Sequence, residues 1–414
     1  KSALEQNTTG ASNSALGMGA LDANTTGSNS VAVGQDALTS STTASSNTAV
    51  GKSALQNNTT GAENTAVGHD SLAANTTGGF STAVGFKALM TNTTGYSNQA
   101  FGYYALNLNT TGFENTALGS RALQSNTTAS YNVAVGRDCL RLNTTGADNT
   151  AVGNKALNKN TTGAASTAFG KSALESNTTG DYNSAFGHSS LINNTTGSRN
   201  FGFGISSLYY NTTGGYNVAV GGSALYKNTT ASSNTAVGAD SLYENTTGDS
   251  NTAVGRGALY VNTTASNNTA VGRNSLVANT TGAQNTGIGK SALEDNTTGT
   301  SNNAFGNQAL ANNTTAGYNC AFGEAALQDG TTGGYNAAFG GFALKDNTTA
   351  TNNAAFGYNT MALNTTGWGN TGLGSVALYA NTTGNHNVAA GLDAMKLNTT
   401  GSYNVVVGSY ALDG

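Results

Sequence analysis

Bulky apolar residues recur at two fixed places in every 17 residues of this chain, and small or polar residues fill the positions between them. The register is set by a glycine that returns at Gly17, Gly34, Gly51, Gly68 and onward to Gly408, 24 times without insertion or deletion. The residue before it is bulky and apolar, as at Val33, Val50, Phe101, Leu118, Phe169, Ile288 and Phe305, with Ala390 the small exception. The second residue before it is Ala almost throughout, and the third varies. The fourth is Asn, with Ser at Ser30, Ser81 and Ser166. This period-two alternation, bounded by glycine, predicts a short β-strand in every repeat. The second apolar place lies four residues after the glycine. Leu4, Leu21, Leu38 and Leu55 begin a series broken only by Met361 and Met395. Leu and Met are near-isosteric, so the position reads as a core socket. The segment from the glycine through this Leu fits either a second short strand or one helical turn.

A repeat this strict predicts a solenoid, an array or a fibre. The expected fold is all-β, a parallel β-solenoid with one 17-residue repeat per rung and about 24 rungs. At about 4.8 Å per rung it would make a rod of about 115 Å. Residues 1–414 read as one uninterrupted array. Both ends fall in mid-repeat without the atypical capping repeats of most solenoids, so the chain reads as an excerpt of a longer one. Burial within one rung cannot offset the entropy of ordering 17 residues. Stability must therefore come from ladders between rungs: backbone hydrogen bonds and like-on-like Asn and Thr stacks. The strand face that carries Asn, Ala and Gly is nearly flat and suits close approach of another backbone. That backbone is either the opposite wall of a thin solenoid or a neighbouring chain. Ala66 and Gly68, with Gly153 and the residues before it (Ala151, Val152), mark this candidate chain–chain contact.

After the Leu come two variable residues and then Asn-Thr-Thr. Both threonines are present in all 24 repeats, and the Asn gives way only to Ser41 and Gly330. Next is Gly, or Ala in six repeats (Ala44, Ala129, Ala231, Ala265, Ala316, Ala350), so this position demands smallness more than a positive φ. The variable positions hold nearly all the charged residues and most tyrosines, and are read as outward corners.

Composition narrows the function classes. Only 9% of residues are charged, the net charge is −4, and there is no Pro. A basic stripe is missing, so nucleic-acid binding has no electrostatic footprint. No apolar run is long enough to span a membrane. Cys139 and Cys320 stand where other repeats carry small residues, and read as fillers rather than a disulfide.

The unit NTAVGxxALxxNTTGxx, as at Asn64 to Phe80, resembles the 17-residue repeats of bacterial and phage tail-fibre-like proteins. Its NTAVG core is also similar to the head repeats of trimeric autotransporter adhesins, which carry one N-x-A-[IV]-G-like strand per rung. Those heads are left-handed parallel β-rolls in homotrimers, though their repeat is shorter and lacks Asn-Thr-Thr. The resemblance covers the whole chain. It implies a homo-oligomeric, extracellular structural fibre or stalk, on a bacterial surface or a virion appendage.

Other readings compete with this one. Asn-Thr-Thr is formally an N-glycosylation sequon and occurs 22 times. Asn58, Thr59 and Thr60, with their equivalents, are thus candidate glycan-bearing residues; the competing reading is an Asn/Thr ladder at a turn. Chains stacking into a self-assembled filament, with or without glycans, are the nearest alternative. Corner tyrosines (Tyr131, Tyr182, Tyr216, Tyr318) with Trp368 would suit an adhesin that contacts cell-surface carbohydrate. A Thr array would suit ice binding, but adjacent residues on a strand point to opposite faces, which leaves one Thr per rung on either face. His69, His188 and His386 are isolated, acidic residues do not recur in pairs, and no nucleophile–base constellation repeats. No catalytic residue, metal ligand or cofactor is expected, and the chain does not read as an enzyme.

Overall fold

A computed structural model describes residues 2–413. The chain falls into two units, Lys1–Ser206 with Tyr210–Thr213, and Ser207–Tyr209 with Gly214–Gly414. Each is a parallel β-solenoid with one three-residue strand per 17-residue rung. The first unit carries β1 (Ser14–Leu16) through β12 (Phe201–Phe203), and the second β13 (Val218–Val220) through β24 (Val405–Val407). Pairing is parallel and in register, residue on equivalent residue. In β4 (Thr65–Val67) and β5 (Thr82–Val84), Thr65 faces Thr82, Ala66 faces Ala83 and Val67 faces Val84. No helix forms among the described residues.

The strand is where the alternation puts it, and its flat face is the inner one. Ala66, Ala83, Ala100 and Ala117 are fully buried, as are Asn64 and Asn98. The bulky residues of the same strands point outward: Val67 is 37% exposed and Phe101 38%. Leu55, Leu72 and Leu89, delivered from the far side of the rung, fill the interior and leave room beneath the strand for little more than a methyl group. Where Gly287 replaces the strand Ala, an added Cβ would lie 2.6 Å from Oγ of Ser275, 3.2 Å from the Ala292 carbonyl oxygen and 3.5 Å from Cγ of Leu276. A thin coil thus reverses the usual assignment, with small residues inside the sheet and large ones outside.

The segment between the glycine and the Leu is neither a strand nor a helical turn. It is a series of tight bends with left-handed backbone at the second residue after the glycine (Asp70, φ 56°) and at the Leu itself (Leu72, φ 52°). A third left-handed residue precedes each strand, as at Glu63 (φ 60°). A leucine in this region costs about 1–2 kcal/mol. Burial of its side chain offsets that cost, and so does a rung-to-rung bond in which the Leu72 N–H donates to the Ala88 carbonyl at 2.9 Å. Bonds of this kind run all around the coil. Gly68 donates back to Val50 at 2.8 Å and Asp70 back to Lys52 at 3.0 Å. Ala74 donates forward to Met90 and Thr76 forward to Thr93, both at 2.9 Å. The rungs are therefore joined through their turns as well as their strands.

Two columns of buried asparagine reinforce this joining. In the Asn-Thr-Thr column, the Asn92 amide donates to Oδ1 of Asn75 one rung below at 2.9 Å and to the Gly95 carbonyl of its own turn at 2.8 Å. Its Oδ1 accepts from Asn109 at 2.8 Å. In the second column, ahead of the strand, Oδ1 of Asn47 accepts the backbone N–H of Asn64 at 3.0 Å. The Asn64 amide in turn donates to the Gly78 carbonyl at 2.9 Å. Thr76 adds a third ladder, its hydroxyl donating to the Thr93 carbonyl at 3.0 Å.

The two interruptions of the first column are visible as orphaned atoms. Below Ser41 the Oδ1 of Asn24 has no donor, the Ser41 hydroxyl is itself unpaired, and below Gly330 the Oδ1 of Asn313 has no donor. A Cβ at Gly330 would meet its nearest neighbours at 3.3–3.4 Å, a contact that a few tenths of an ångström of adjustment relieves. Ser41→Asn and Gly330→Asn should therefore each stabilise their unit by about 1–2 kcal/mol, the cost of an unsatisfied buried acceptor. Denaturant midpoints of the single and double variants measure this; an unchanged or lowered midpoint would contradict the ladder account.

Candidate functional site

Along Asn-Thr-Thr the three side chains meet three different environments. Asn58 is fully buried; its amide donates to the Gly61 carbonyl at 2.8 Å and its Oδ1 accepts from Asn75 at 2.8 Å. An N-linked sugar has no access to it in the folded chain. Thr59 is half-buried and spends its hydroxyl on the Thr76 carbonyl at 3.0 Å. Thr60 is exposed, and no hydrogen bond engages its hydroxyl. The same partition holds up the column, because the bends that carry the triplet repeat in every rung.

The candidate contact residues lie largely inside their own chain. Ala66 and Ala151 are fully buried within single rungs. Gly68, Val152 and Gly153 are half-buried. The backbone that approaches the flat face is thus the solenoid's own. The repeat glycine is held by its neighbour above, as where a Cβ on Gly68 (φ +135°) would fall 2.5 Å from the Gly85 carbonyl oxygen. The Gly/Ala position after Asn-Thr-Thr has no positive φ, in keeping with its tolerance of Ala.

The surface free to meet another molecule is instead the outer face of the sheet. Val50, Val67, Phe101, Leu118, Phe169 and Phe203 are each more than a third exposed and follow one line in the first unit. In the second unit the equivalent positions carry Phe305, Phe322, Phe339 and Phe356, stacked ring on ring at 4.4, 4.9 and 5.0 Å between centroids. Sequence reasoning noticed the bulk on this side of the strand but not that it would be left outside. The signal was the Leu series, which already fills a narrow interior.

Corner aromatics also pack on one another. Tyr318 and Tyr335 stack at 5.1 Å, and Tyr226, Tyr243 and Tyr260 continue a column at 4.9 and 5.1 Å. Tyr182 lies under the Arg199 guanidinium at 5.6 Å, and Tyr131 meets Phe113 edge-on. Trp368 abuts His386 at 4.2 Å. Neighbouring rungs thus cover part of each ring, while Tyr182, Tyr318 and Tyr335 stay more than half exposed.

Titratable groups are scattered. His69 sits 3.0 Å from Asp70, and the His188 ring contacts the Ser189 hydroxyl at 3.1 Å. No three His, Cys, Asp or Glu side chains converge as a cation site among the described residues. Burial pushes the Cys139 thiol up to about 12 and raises that of half-buried Cys320; both are free thiols. A depression of about 280 Å³ in the second unit is lined by Asp240, Arg256, Tyr260 and Arg273. Among the described residues no helix is long and apolar enough to cross a membrane. The chain matches no protein-family model, and no curated protein matches it significantly.

Proposed function

We propose that this chain is a structural component of an extracellular fibre or stalk, and that copies of it associate through the outer face of the sheet. The observation that carries this reading is that face. Twelve strands of three residues, at about 3.3 Å per residue and 4.8 Å per strand, present about 570 Å² per unit. Within it the line of Val, Leu and Phe is contiguous and apolar, while the parallel outward line is Thr, Ser or Gln in nine of the first unit's twelve strands. Two such faces together remove about 1,100 Å² from water, enough for a specific interface. A second copy is the natural occupant, because its face repeats with the same rung spacing and can match strand for strand. The resemblance of NTAVGxxALxxNTTGxx to tail-fibre-like and adhesin-head repeats supports both the extracellular setting and the homo-oligomer. The internal hydrogen-bond ladders suit a load-bearing element, since each rung is bonded to both neighbours around its circumference.

Sedimentation and light scattering of the full chain test this. The native chain is expected to run at a discrete multiple of 41.3 kDa. Lys at Val67, Val84 and Phe101 and at their equivalents in β7 to β9 (Thr116–Leu118, Val133–Val135, Thr150–Val152) should return it to the monomer with unchanged circular dichroism. A native chain that is already monomeric, or a lysine variant that keeps the larger mass, would overturn the proposed contact.

A further inference from the structure

The second threonine of Asn-Thr-Thr has no structural task, yet it never varies. It is exposed in all 24 rungs, from Thr9, Thr26 and Thr43 to Thr400. Its hydroxyl makes no hydrogen bond in any of them, whereas the preceding Thr donates to the carbonyl one rung on, as Thr59 does to Thr76. Other exposed positions drift freely. The exposed left-handed corner residue is Ser46, Glu63 and Phe80 in three successive rungs, and Glu114 and Tyr131 further on. A solvent-facing hydroxyl kept identical 24 times, while the exposed corner residue three positions on is not kept, is unexplained by hydrogen bonding within the chain.

We infer that these threonines are sites of O-linked glycosylation, one per rung. In the transfer, Oγ of Thr60 attacks the anomeric carbon of a nucleotide-activated sugar. The bond from that carbon to the diphosphate breaks with its electron pair going to the leaving nucleoside diphosphate, and the hydroxyl proton passes to a base of a separate transferase. The chain is substrate, not catalyst. A second observation points the same way. Charged residues make up only 9% of the sequence while the outer sheet exposes Val, Leu and Phe, a surface poor in the charge that keeps proteins dispersed. A column of sugars at the Thr corner would supply that hydration and leave the apolar sheet free. The inference rests on the extracellular reading above but not on its interface.

The test is intact-mass and electron-transfer fragmentation mass spectrometry of the full chain isolated from its native source. The expected result is a mass above 41.3 kDa in whole sugar increments, with the increments on Thr60 and its equivalents and none on Asn58 or Thr59. Thr→Val at Thr60, Thr77 and Thr94 should lose up to three increments, and Thr→Ser at the same positions should retain them. Unmodified native chain, or sugars confined to Asn58- or Thr59-type residues, would overturn the inference. An unmodified chain that still sediments as an oligomer would overturn this inference alone; a glycosylated monomer would overturn only the interface.

Discussion

Gly340→Ala is expected to disrupt the second unit by about 3 kcal/mol or more, while Gly341→Ala, one residue away, leaves it intact. Gly340 has φ +140°, a region that side-chain-bearing residues avoid at a cost of about 1–3 kcal/mol. A Cβ there would also overlap the Gly357 carbonyl oxygen and come within 2.5 Å of its carbon. That obstacle is the backbone of the next rung, which can yield only by separating. At Gly341 the nearest atom to an added Cβ is a Tyr358 ring carbon at 3.5 Å, an ordinary contact, and no positive φ is required. There the loss of unfolded-state freedom should stabilise by about 0.4–1 kcal/mol. Because rungs touch only their neighbours, the lesion is best read locally. Hydrogen exchange should accelerate in the rungs around Gly340, with lesser change several rungs away. Equal effects of the two substitutions would refute this account of the repeat glycine.

The second large effect is expected in the asparagine column. Asn92→Leu keeps the volume but removes every polar partner. It leaves Oδ1 of Asn75, the Gly95 carbonyl and one amide hydrogen of Asn109 without partners, all in a site closed to water. At about 1–3 kcal/mol for each of the three orphaned groups, the loss is on the order of 3–9 kcal/mol. Asn57→Leu serves as the control: Asn57 is exposed, its side chain is free, and its replacement should stay within about 0.5 kcal/mol. Urea unfolding of the two variants compares them directly. If Asn92→Leu costs no more than Asn57→Leu, the column is not what holds the rungs together.

Much of this was legible because a period of 17 leaves few ways to fold. The strand at Thr65–Val67, the buried Leu72 and the exposed variable corners follow from spacing and residue size alone. The stacked Asn and Thr ladders follow from identity at one position in every rung. The orientation of the strand did not. Val67 beside Ala66 argues for Val inward in an ordinary sheet, and only the narrowness of the coil reverses it. The left-handed Leu72 was also hidden, since a β-branch-free apolar residue gives no local hint of positive φ; its conformation is imposed by the bond to Ala88. Nor could the sequence separate Thr59 from Thr60, because adjacent identical residues diverge only once the turn directs one hydroxyl to a carbonyl and the other to water.

The in-register pairing of each residue with its equivalent 17 positions on has a consequence for heredity as well as for stability. A rung meets the same surface above and below whichever copy it is. In-frame duplication or loss of one repeat by slippage at the gene therefore joins sound interfaces on both sides, and adds or removes length without a new fold having to be found. An insertion that is not a whole repeat must instead bulge from a corner or break the ladders at the rung that carries it. Selection can thus adjust the reach of the protein in discrete steps while its chemistry stays constant, and the uninterrupted register of the chain is what such a filter leaves behind.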